Sequence, residues 1–440
     1  MKHLSPNYRT YSNLVFGPAR RQRPAPKRRR GRGSGCRLEA PGWNQETRRA
    51  LEDIINRGAG QQLPVVLDFD NTIVCGDIGE ATLAVLARSG KLTPARVTRT
   101  FSPPFRVPGR NLMELSSCAD VTQYYEAFLA PTTHEGHDPS PLANGYAWAV
   151  EVMENLRPLD VVNATRTAFE WPQPTRPSFI EVTPGKSAVP APFFYPEAVE
   201  LIAELLRLRF DLWIISASNV WSVRWMVLQA LNPLLRRRGL KIGVRASHVV
   251  GISTLLADRQ GRLYKDALLV REDDQYAAMA EKSLAGLRLT SRLQFPLPAH
   301  SGKIAVVFDL LGRNPFLAVG DSPSDHPLLQ ISQHRLWIAR LEKPGFQQAT
   351  RDLIQKTGGD GWLIQPTLTG KAPGFVSGLK EASERLGSLP PEMRRAAAAV
   401  LPRASERIQE SAHQGRGRPR PRRLRRRPQD TGTRPSPPPA

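Results

Sequence analysis

The sequence has little cysteine and no long apolar run. Its cysteines, Cys36, Cys75 and Cys118, are too few and too widely spaced for a disulfide framework or a zinc site. No run of about 18 apolar residues is present that could cross a membrane. No apolar segment follows the N-terminal charges as it does in a signal peptide. We therefore expect a cytoplasmic protein without a membrane partner, although the Arg-rich first 35 residues could direct the chain to an organelle.

Acidic residues are almost missing from both ends of the chain. Residues 1–36 hold ten Lys and Arg and no acid, and residues 414–440 hold nine Arg and one Asp. These two segments carry +18 of the formal net charge of +22. A basic surface is typical of nucleic-acid binding, but the rest of the chain is nearly neutral. Any nucleic-acid partner would therefore bind through the tails, which we expect to be disordered because they cannot bury enough apolar surface.

The central part of the chain contains apolar runs that end in polar residues. The 440 residues are enough for a core and a second unit. The run that begins at Leu63 ends in Asp68 and Asp70, and Phe316–Val319 ends in Gly-Asp. Further runs cover Leu212–Ile215 and Leu336–Ala339, and helical patterns separate them. Strands that alternate with helices predict an α/β fold with a Rossmann-like, doubly wound parallel sheet.

A long helical stretch interrupts this alternation. Helical periodicity is found over Ile78–Arg88, Val121–Ala130, Gly145–Leu156 and Val161–Trp171, and the Pro-rich segment Trp171–Pro192 is expected to be extended and exposed. The predicted organisation is a basic tail (1–40), the start of the sheet domain (41–80), a helical insert with Pro-rich connections (81–192), the rest of the sheet domain (193–402) and a second basic tail (403–440). We also expect a hairpin around Asp258–Tyr264.

Carboxylates follow two of the predicted strands. Asp68 and Asp70 follow one strand, and Asp321 and Asp325 follow another, at the sheet edge where open α/β proteins bind ligands. Four carboxylates that converge without a cation would repel one another, which favours a bound hard metal such as Mg²⁺. Ser216, at the end of a strand, and Lys303 add a hydroxyl and a cation that can hold phosphate oxygens.

The order of these residues resembles the four motifs of the haloacid dehalogenase (HAD) superfamily: Asp-x-Asp-x-Thr, a strand-end Ser, a Lys and Gly-Asp-x-x-x-Asp. The resemblance covers roughly residues 60–80 and 195–370. Ile-Ser-Ala-Ser (Ile215–Ser218) and Val-Gly-Asp-Ser (Val319–Ser322) are similar to the phosphoserine-phosphatase-like branch. Asp-Asn-Thr and the long gap before Lys303 also resemble phosphorylcholine phosphatases. The resemblance implies that the insert is an α-helical cap over the active site.

The resemblance also implies a role for each residue. Asp68 would be the nucleophile that forms an aspartyl-phosphate, and Asp70 would act as general acid and then base. The remaining roles are phosphate contacts by Asn71, Thr72, Ser216 and Lys303, Mg²⁺ binding by Asp68, Asp321 and the main-chain carbonyl of Asp70, and orientation of Lys303 or a metal-bound water by Asp325. The expected activity is Mg²⁺-dependent hydrolysis of a small phosphomonoester.

Two questions stay open at this stage. Asp77 lies nine residues after Asp68 and could bind an amine on the substrate, or it could only cap the helix that begins at Ile78. The insert is also rich in aromatic residues, one or two of which could pack against a quaternary ammonium.

The competing function is a nucleic-acid-associated protein with an accessory or degenerate HAD domain tethered by its basic tails. Hydrolytic dehalogenation is disfavoured because it needs no acid such as Asp70.

Overall fold

The computed structural model describes residues 35–97, 100–106, 112–129, 144–265 and 284–398. The predicted basic tails lie outside these ranges, apart from residues 35–40. Within the described ranges, no helix has both the length and the apolar character needed to cross a membrane.

Most strands are short, and they are distributed along the described chain. They are β1 (Pro64–Leu67), β2 (Val74–Cys75), β3 (Phe105–Arg106), β4 (Leu112–Met113), β5 (Phe179–Thr183), β6 (Ser187–Pro190), β7 (Phe193–Phe194), β8 (Asp211–Asn219), β9 (Val249–Ile252), β10 (Thr254–Ala257), β11 (Leu263–Tyr264), β12 (Arg288–Leu293), β13 (Leu317–Gly320), β14 (His334–Arg340), β15 (Trp362–Leu368) and β16 (Gly374–Phe375).

Helices connect the strands. They are α1 (Gln45–Gly58), α2 (Ile78–Arg88), α3 (Val121–Leu129), α4 (Gly145–Glu151), α5 (Pro158–Phe169), α6 (Pro196–Arg207), α7 (Val220–Trp225), α8 (Asn232–Arg237), α9 (Gly302–Leu310), α10 (His326–Ile331), α11 (Pro344–Thr357) and α12 (Leu379–Leu386), with a π-helical turn at Met226–Leu231 between α7 and α8.

The main sheet has seven strands in the order β16-β15-β14-β13-β1-β8-β9. Neighbouring strands are parallel, except that β16 pairs antiparallel with β15. The four residues of β1 are all buried at the centre of the sheet. The predicted mixed α/β fold with a mainly parallel sheet is therefore confirmed.

Helices cover both faces of this sheet. Val65 packs in a cluster with Leu51 of α1 and Ile202 of α6. Val66, the next residue of β1, packs in a different cluster with Val307 of α9. Adjacent residues of a strand point to opposite faces, so the sheet is covered on both sides, and a ligand can reach it at the edge formed by the carboxyl ends of the strands.

The insert leaves and returns to the sheet domain at one narrow ribbon. Strands β2 and β7 pair antiparallel at this point, and helices α2 to α5 lie between them in sequence. The insert has its own apolar core, in which Tyr124, Phe128 and Trp148 pack against one another. These three residues are buried packing groups.

The insert differs from its prediction in three ways. The segment expected to be extended and exposed forms the hairpin β5–β6, in which Ile180 is buried. The helix expected to reach Leu156 ends at Glu151. The small sheet β11-β10-β12, which includes the predicted hairpin, shares the apolar core of the insert through Leu256 and Leu289. The boundaries 81–192 therefore omit a part of this unit that comes from much later in the chain, and the insert is not wholly helical.

The folded unit begins at Cys36, earlier than the predicted boundary at residue 41. Cys36 and Leu38 are buried. The carboxylate of Glu200, on α6, accepts hydrogen bonds from the main-chain N–H groups of Glu39 and Ala40. A buried carboxylate that receives such bonds fixes an extended segment without any periodic pattern in its sequence, so residues 36–40 do not belong to the tail.

Candidate active site

Polar side chains from four neighbouring strands meet at the carboxyl edge of the main sheet. Asp68 follows β1, Asp321 follows β13, Ser216 lies in β8, and Arg340 is the last residue of β14. The pairing of β8 with β9 is interrupted between Ile215 and Asn219, which includes the position of Ser216. Parallel strands bring their carboxyl ends to the same edge, so residues far apart in the sequence share one site.

Lys303, in the first turn of α9, joins two of the carboxylates. Its Nζ donates to Asp68 Oδ1 and to Asp325 Oδ1, both at 2.6 Å, and all three side chains are buried. Burial and the nearby Asp325 raise the pKa of Asp68 to about 6, against the opposing effect of Lys303. Asp68 is therefore largely ionised at neutral pH. Although burial alone would lower the pKa of Lys303, the carboxylates of Asp325 and Asp68 raise it, so its ammonium group stays charged.

Thr72 and Arg340 contact the third carboxylate, that of Asp321. Thr72 Oγ1 lies 3.1 Å from Asp321 Oδ1 and 3.2 Å from Asp68 Oδ2. Arg340 Nε lies 2.8 Å from Asp321 Oδ2, but without hydrogen-bond geometry. Burial raises the pKa of Asp321 well above its usual range, although the Arg340 guanidinium opposes the shift. Thr72 therefore links two carboxylates, while Arg340 balances the charge of one.

Asp70 has different surroundings from Asp68. Its Oδ1 accepts the main-chain N–H of Ile78 at 2.7 Å, and its Oδ2 accepts the hydroxyls of Ser218 at 2.7 Å and Ser216 at 3.2 Å. Burial, together with the charges of Asp77 and Asp68, raises its pKa well above the usual range. The pKa of Asp70 is thus raised although its carboxyl group accepts three hydrogen bonds, whereas Asp68, two residues away, has a pKa of about 6 beside a buried ammonium group.

A turn after Asp68 lets both acids face the same site. Asn71 has a φ of +54°, in the left-handed region that Asn tolerates better than most residues. Its main-chain N–H donates to Gly76 O, and its side-chain oxygen accepts from Gly76 N. Asn71 was predicted to contact phosphate, but here its amide oxygen holds the turn together.

Asp77 lies at the start of α2 and beside the Ser218 hydroxyl. Its Oδ1 accepts the main-chain N–H of Glu80 at 2.9 Å and caps α2. The same oxygen lies 3.4 Å from the Ser218 hydroxyl, which also bonds to Asp70. Burial raises the pKa of Asp77. Asp77 is thus a helix cap at the border of the site.

Ser216 and Ser218 both contact Asp70, whereas only Ser216 was predicted to belong to the site. The Ser216 hydroxyl approaches Asp70, and its oxygen accepts the N–H of Ser218 at 3.0 Å. Ser216 was predicted to contact a phosphoryl group, but in this structure it contacts a carboxyl group. Ser218 was not singled out from the sequence, although two serines two positions apart on one strand point to the same face.

The insert contributes side chains that face these acids. Tyr146 of α4 is close enough for Ser324, Asp325 and Asp77 to influence its pKa, which burial raises. Burial and Asp77 raise the pKa of Glu80 to about 8, against the effect of Arg340. The insert therefore adds an acid and a tyrosine to the groups near the sheet edge.

The carboxylates can also be tested as a metal site. Asp68, Asp321 and Asp325 offer oxygen atoms within 4.8 Å of one another, which suits a hard cation such as Mg²⁺. Asp325 already accepts Lys303 through Oδ1 and two main-chain N–H groups through Oδ2. In contrast, Asp321 Oδ2 accepts no hydrogen bond within the described residues. The donors fit Mg²⁺ held by Asp68 and Asp321, with Asp325 as an orienting group, as predicted.

Arg340 is the main residue of the site that sequence reasoning missed. It follows the predicted strand Leu336–Ala339 directly, and a charged residue immediately after an apolar strand is the same signal that identified Asp68 and Asp321. The predicted site residues Asp68, Asp70, Thr72, Ser216, Lys303, Asp77, Asp321 and Asp325 are otherwise brought together.

The sequence matches no protein-family model and no curated protein. Its fold is similar to that of a conserved protein of unknown function from Anaerococcus prevotii, with 17% identity and a TM-score of 0.52, over 78% of this chain and 97% of that one. A HAD family hydrolase from Salmonella enterica serovar Typhi is also similar, with 12% identity and a TM-score of 0.33 over 66% of this chain and 68% of that one. A phosphoserine phosphatase solved as a phospho-aspartyl intermediate analogue has 12% identity and a TM-score of 0.29, over 63% of this chain and 86% of that one. The first likeness shows a shared fold.

Proposed function

We propose that this protein is a HAD-type phosphatase that hydrolyses small phosphomonoesters with Mg²⁺, through an aspartyl-phosphate on Asp68. The observation that carries the proposal is the contrast between two neighbouring acids. Asp68 lies against the ammonium group of Lys303 and has a pKa of about 6. Asp70 lies against uncharged donors, and burial with the charges of Asp77 and Asp68 raises its pKa well above the usual range. A nucleophile must be ionised and a general acid must be protonated at the same pH, and environments that push two pKa values apart provide this.

In the first step, an Asp68 carboxylate oxygen forms a bond to phosphorus as the bond between phosphorus and the ester oxygen breaks. Asp70 transfers its proton to the departing oxygen, so the alcohol leaves neutral. In the second step, water attacks phosphorus, Asp70 takes a proton from that water, and the bond to Asp68 breaks. Phosphate is released, and both acids return to their starting forms.

The neighbouring residues stabilise charge during both steps. Lys303, bound to Asp68, lies where the phosphoryl group would arrive, and the Thr72 hydroxyl lies on the other carboxylate oxygen. Asp68, Asp321 and the Asp70 carbonyl would hold Mg²⁺, which would neutralise negative charge on the phosphoryl oxygens. Asp325 holds Lys303 in place. The Ser216 and Ser218 hydroxyls orient the carboxyl group of Asp70.

The insert is proposed to act as a cap that selects the substrate. Tyr146 and Glu80 come from the insert. Tyr146 lies within electrostatic range of Asp325 and Asp321, and Glu80 lies within range of Asp77 and Arg340. Asp77 stands between the insert and the sheet, and its carboxylate could bind an amine on the substrate, as phosphoserine and phosphocholine phosphatases need. This finer proposal rests on the Ser218 hydroxyl, which lies 3.4 Å from Asp77 Oδ1 and also bonds to Asp70.

A screen of phosphomonoesters tests the proposed activity directly. The wild-type chain and Asp68→Asn are compared on p-nitrophenyl phosphate, phosphoethanolamine, phosphocholine and glycerol 3-phosphate, with Mg²⁺ and with EDTA. We expect turnover by the wild type with Mg²⁺ alone and none by the variant. Activity that survives in Asp68→Asn would reject covalent chemistry at this residue, and activity that survives chelation would reject the metal.

A further inference from the structure

Arg340 has a largely buried guanidinium group that forms an ion pair with Asp321 but makes no hydrogen bond within the described residues. Its side chain is only 12% exposed. Its Nε lies near Asp321 Oδ2 without hydrogen-bond geometry, and its guanidinium makes no hydrogen bond to any residue that the structure describes. A buried donor without a partner costs free energy, about 1–3 kcal/mol in proteins. Such a group is expected where a ligand completes the contacts.

The donors of Arg340 suit an anion. A guanidinium group is planar and presents a fork of N–H groups that matches a carboxylate or a phosphate. The face of the Phe346 ring supports the group from one side, with the guanidinium carbon 5.1 Å from the ring centre. The side chain is therefore held in place between an aromatic ring and Asp321, so its orientation is largely set before a ligand binds.

The anion would not be the transferred phosphoryl group. That group must meet Asp68, and no hydrogen bond or ion pair joins Arg340 to Asp68 within the described residues. Asp321 Oδ1 faces Thr72, which also contacts Asp68, whereas Asp321 Oδ2 faces Arg340. Arg340 lies within electrostatic range of Tyr146 and Glu80 of the insert, and we expect the rest of a substrate molecule on that side.

The charges around Arg340 leave it attractive to an anion. Glu80, from the insert, has a pKa of about 8, because burial and Asp77 outweigh Arg340, and it is therefore mostly neutral at pH 7. Lys343 is a second cation that acts on Glu80. Asp321, the acid that Arg340 contacts, also holds a divalent cation in the proposed function. The two cations on this side of the site, Arg340 and Lys343, therefore face an acid, Glu80, that is mostly neutral at pH 7.

We propose that Arg340 binds a second anionic group of the substrate, a carboxylate or a further phosphate, next to the transferred phosphoryl group. This inference rests on the proposed function and names the substrate class: phosphomonoesters that carry a second acidic group. It does not exclude a contact of Asp77 with an amine, because a substrate with both an amine and a carboxylate would engage both residues.

Pairs of compounds that differ at one group test this inference. 3-Phosphoglycerate has a carboxylate where glycerol 3-phosphate has a hydroxymethyl group, and phosphoserine is phosphoethanolamine with an added carboxylate. Binding is measured by calorimetry with Mg²⁺ on the full-length Asp68→Asn chain, so that no turnover is needed. The quantity compared is the ratio of the dissociation constants within each pair, which cancels any general damage to the site.

We expect the acidic member of each pair to bind more tightly, and Arg340→Gln to reduce this preference by about 10- to 100-fold. Arg340→Lys should lose part of the preference, because it keeps the charge without the fork. Arg335→Gln, at the other end of β14, is the matched control and should keep the full preference. Its guanidinium bonds to main-chain oxygens away from the site.

An unchanged ratio in Arg340→Gln, or no preference in the parent chain, would overturn the inference. The wild-type rate with p-nitrophenyl phosphate is recorded alongside, since that ester has no second acidic group. If the wild type turns over p-nitrophenyl phosphate but Arg340→Gln leaves the ratio of dissociation constants unchanged, only this inference is rejected. If Arg340→Gln changes the ratio but the wild type shows no turnover, the proposed phosphatase is rejected and the anion site stands. Bisphosphates in the same assay tell a second phosphate from a carboxylate.

Discussion

The sheet edge and the insert each contain one buried charge between two opposite charges, with the signs reversed. At the sheet edge the central group is Lys303, and its two carboxylate partners are buried with it. In the insert the central group is Asp160, which lies 2.5 Å from Lys91 and 2.9 Å from Arg157. Those two cations are 42% and 48% exposed. The two clusters are similar in composition and differ in their access to water.

This difference separates a functional cluster from a stabilising one. Charges that are all removed from water incur a desolvation penalty that mutual attraction seldom exceeds. Charges with exposed partners avoid most of that penalty and give a small gain. In the proposed function the cluster around Lys303 serves catalysis, and the cluster around Asp160 is expected to serve stability. The predictions below test this contrast.

The largest effect is expected for Lys303→Met. It would leave Asp68 and Asp325 buried without a cation, and breaking a buried pair in this way costs about 3–5 kcal/mol in the free energy of unfolding. Lys91→Met is the matched control in the insert, where the exposed lysine should contribute less than about 1 kcal/mol. Urea denaturation without Mg²⁺ measures both. Equal losses in the two variants would remove the contrast.

Asp321→Asn should lower kcat at least about 100-fold, close to 3 kcal/mol in activation free energy, because it removes a proposed metal ligand and the partner of Arg340. The exposed Asp309 lies on α9 of the same domain, and Asp309→Asn should leave kcat unchanged. Steady-state rates at saturating Mg²⁺ make the comparison. A rate within tenfold of wild type would show that Asp321 has no part in the metal site.

Asp160→Asn should produce a loss of stability that depends on pH. Hydrogen bonds from Arg157 and Lys91 hold the pKa of Asp160 well below its usual range. The stabilisation is therefore fully present above the unfolded pKa of about 4 and is lost as pH falls toward the folded value. We expect the variant to be about 1 kcal/mol less stable at pH 7, and the difference from the wild type to shrink steadily as pH falls from about 4 to 2. A difference that persists in acid would assign the loss to packing.

Removing the tails should have the smallest effect. A chain of residues 35–412 keeps the packed segment around Leu38 and loses most of the Arg-rich ends. Its kcat/KM should stay within about twofold of the full chain, and its unfolding free energy within about 0.5 kcal/mol. A larger loss would tie the tails to the folded unit. Salt-sensitive nucleic-acid binding by the full chain alone would give the tails a separate role.

The sheet and most of the site could be predicted because their signals are local. An apolar run that ends in a carboxylate identified β1 and β13, and helical periodicity behind the cap residue Asp77 predicted the bounds Ile78–Arg88 that α2 has. In a parallel sheet the strand ends share one edge, so the approximate meeting of Asp68 and Asp321 follows from the order of strands and helices.

The rest depends on contacts that the sequence does not encode locally. The bonds from Ser216 and Ser218 to Asp70 depend on how β8 lies beside the turn after β1. The packing of residues 36–40 depends on a carboxylate about 160 positions later. The sheet formed by β10, β11 and β12 joins the core of the insert across a similar gap in sequence. Pairings of this kind become visible only in three dimensions.

The central claim is that Asp68 accepts the phosphoryl group, and trapping that group tests it most directly. Asp70→Asn deprotonates the water that attacks in the second step poorly, so the phosphoenzyme is hydrolysed slowly. p-Nitrophenyl phosphate has a leaving group that needs little protonation, so the first step still proceeds and phosphoenzyme should accumulate. After an acid quench, mass spectrometry of the proteolysed chain should find one phosphate on the peptide that contains Asp68. The same peptide should stay unmodified in Asp68→Asn. No phosphopeptide in Asp70→Asn while p-nitrophenol is still released, or phosphate on a different residue, would contradict the account.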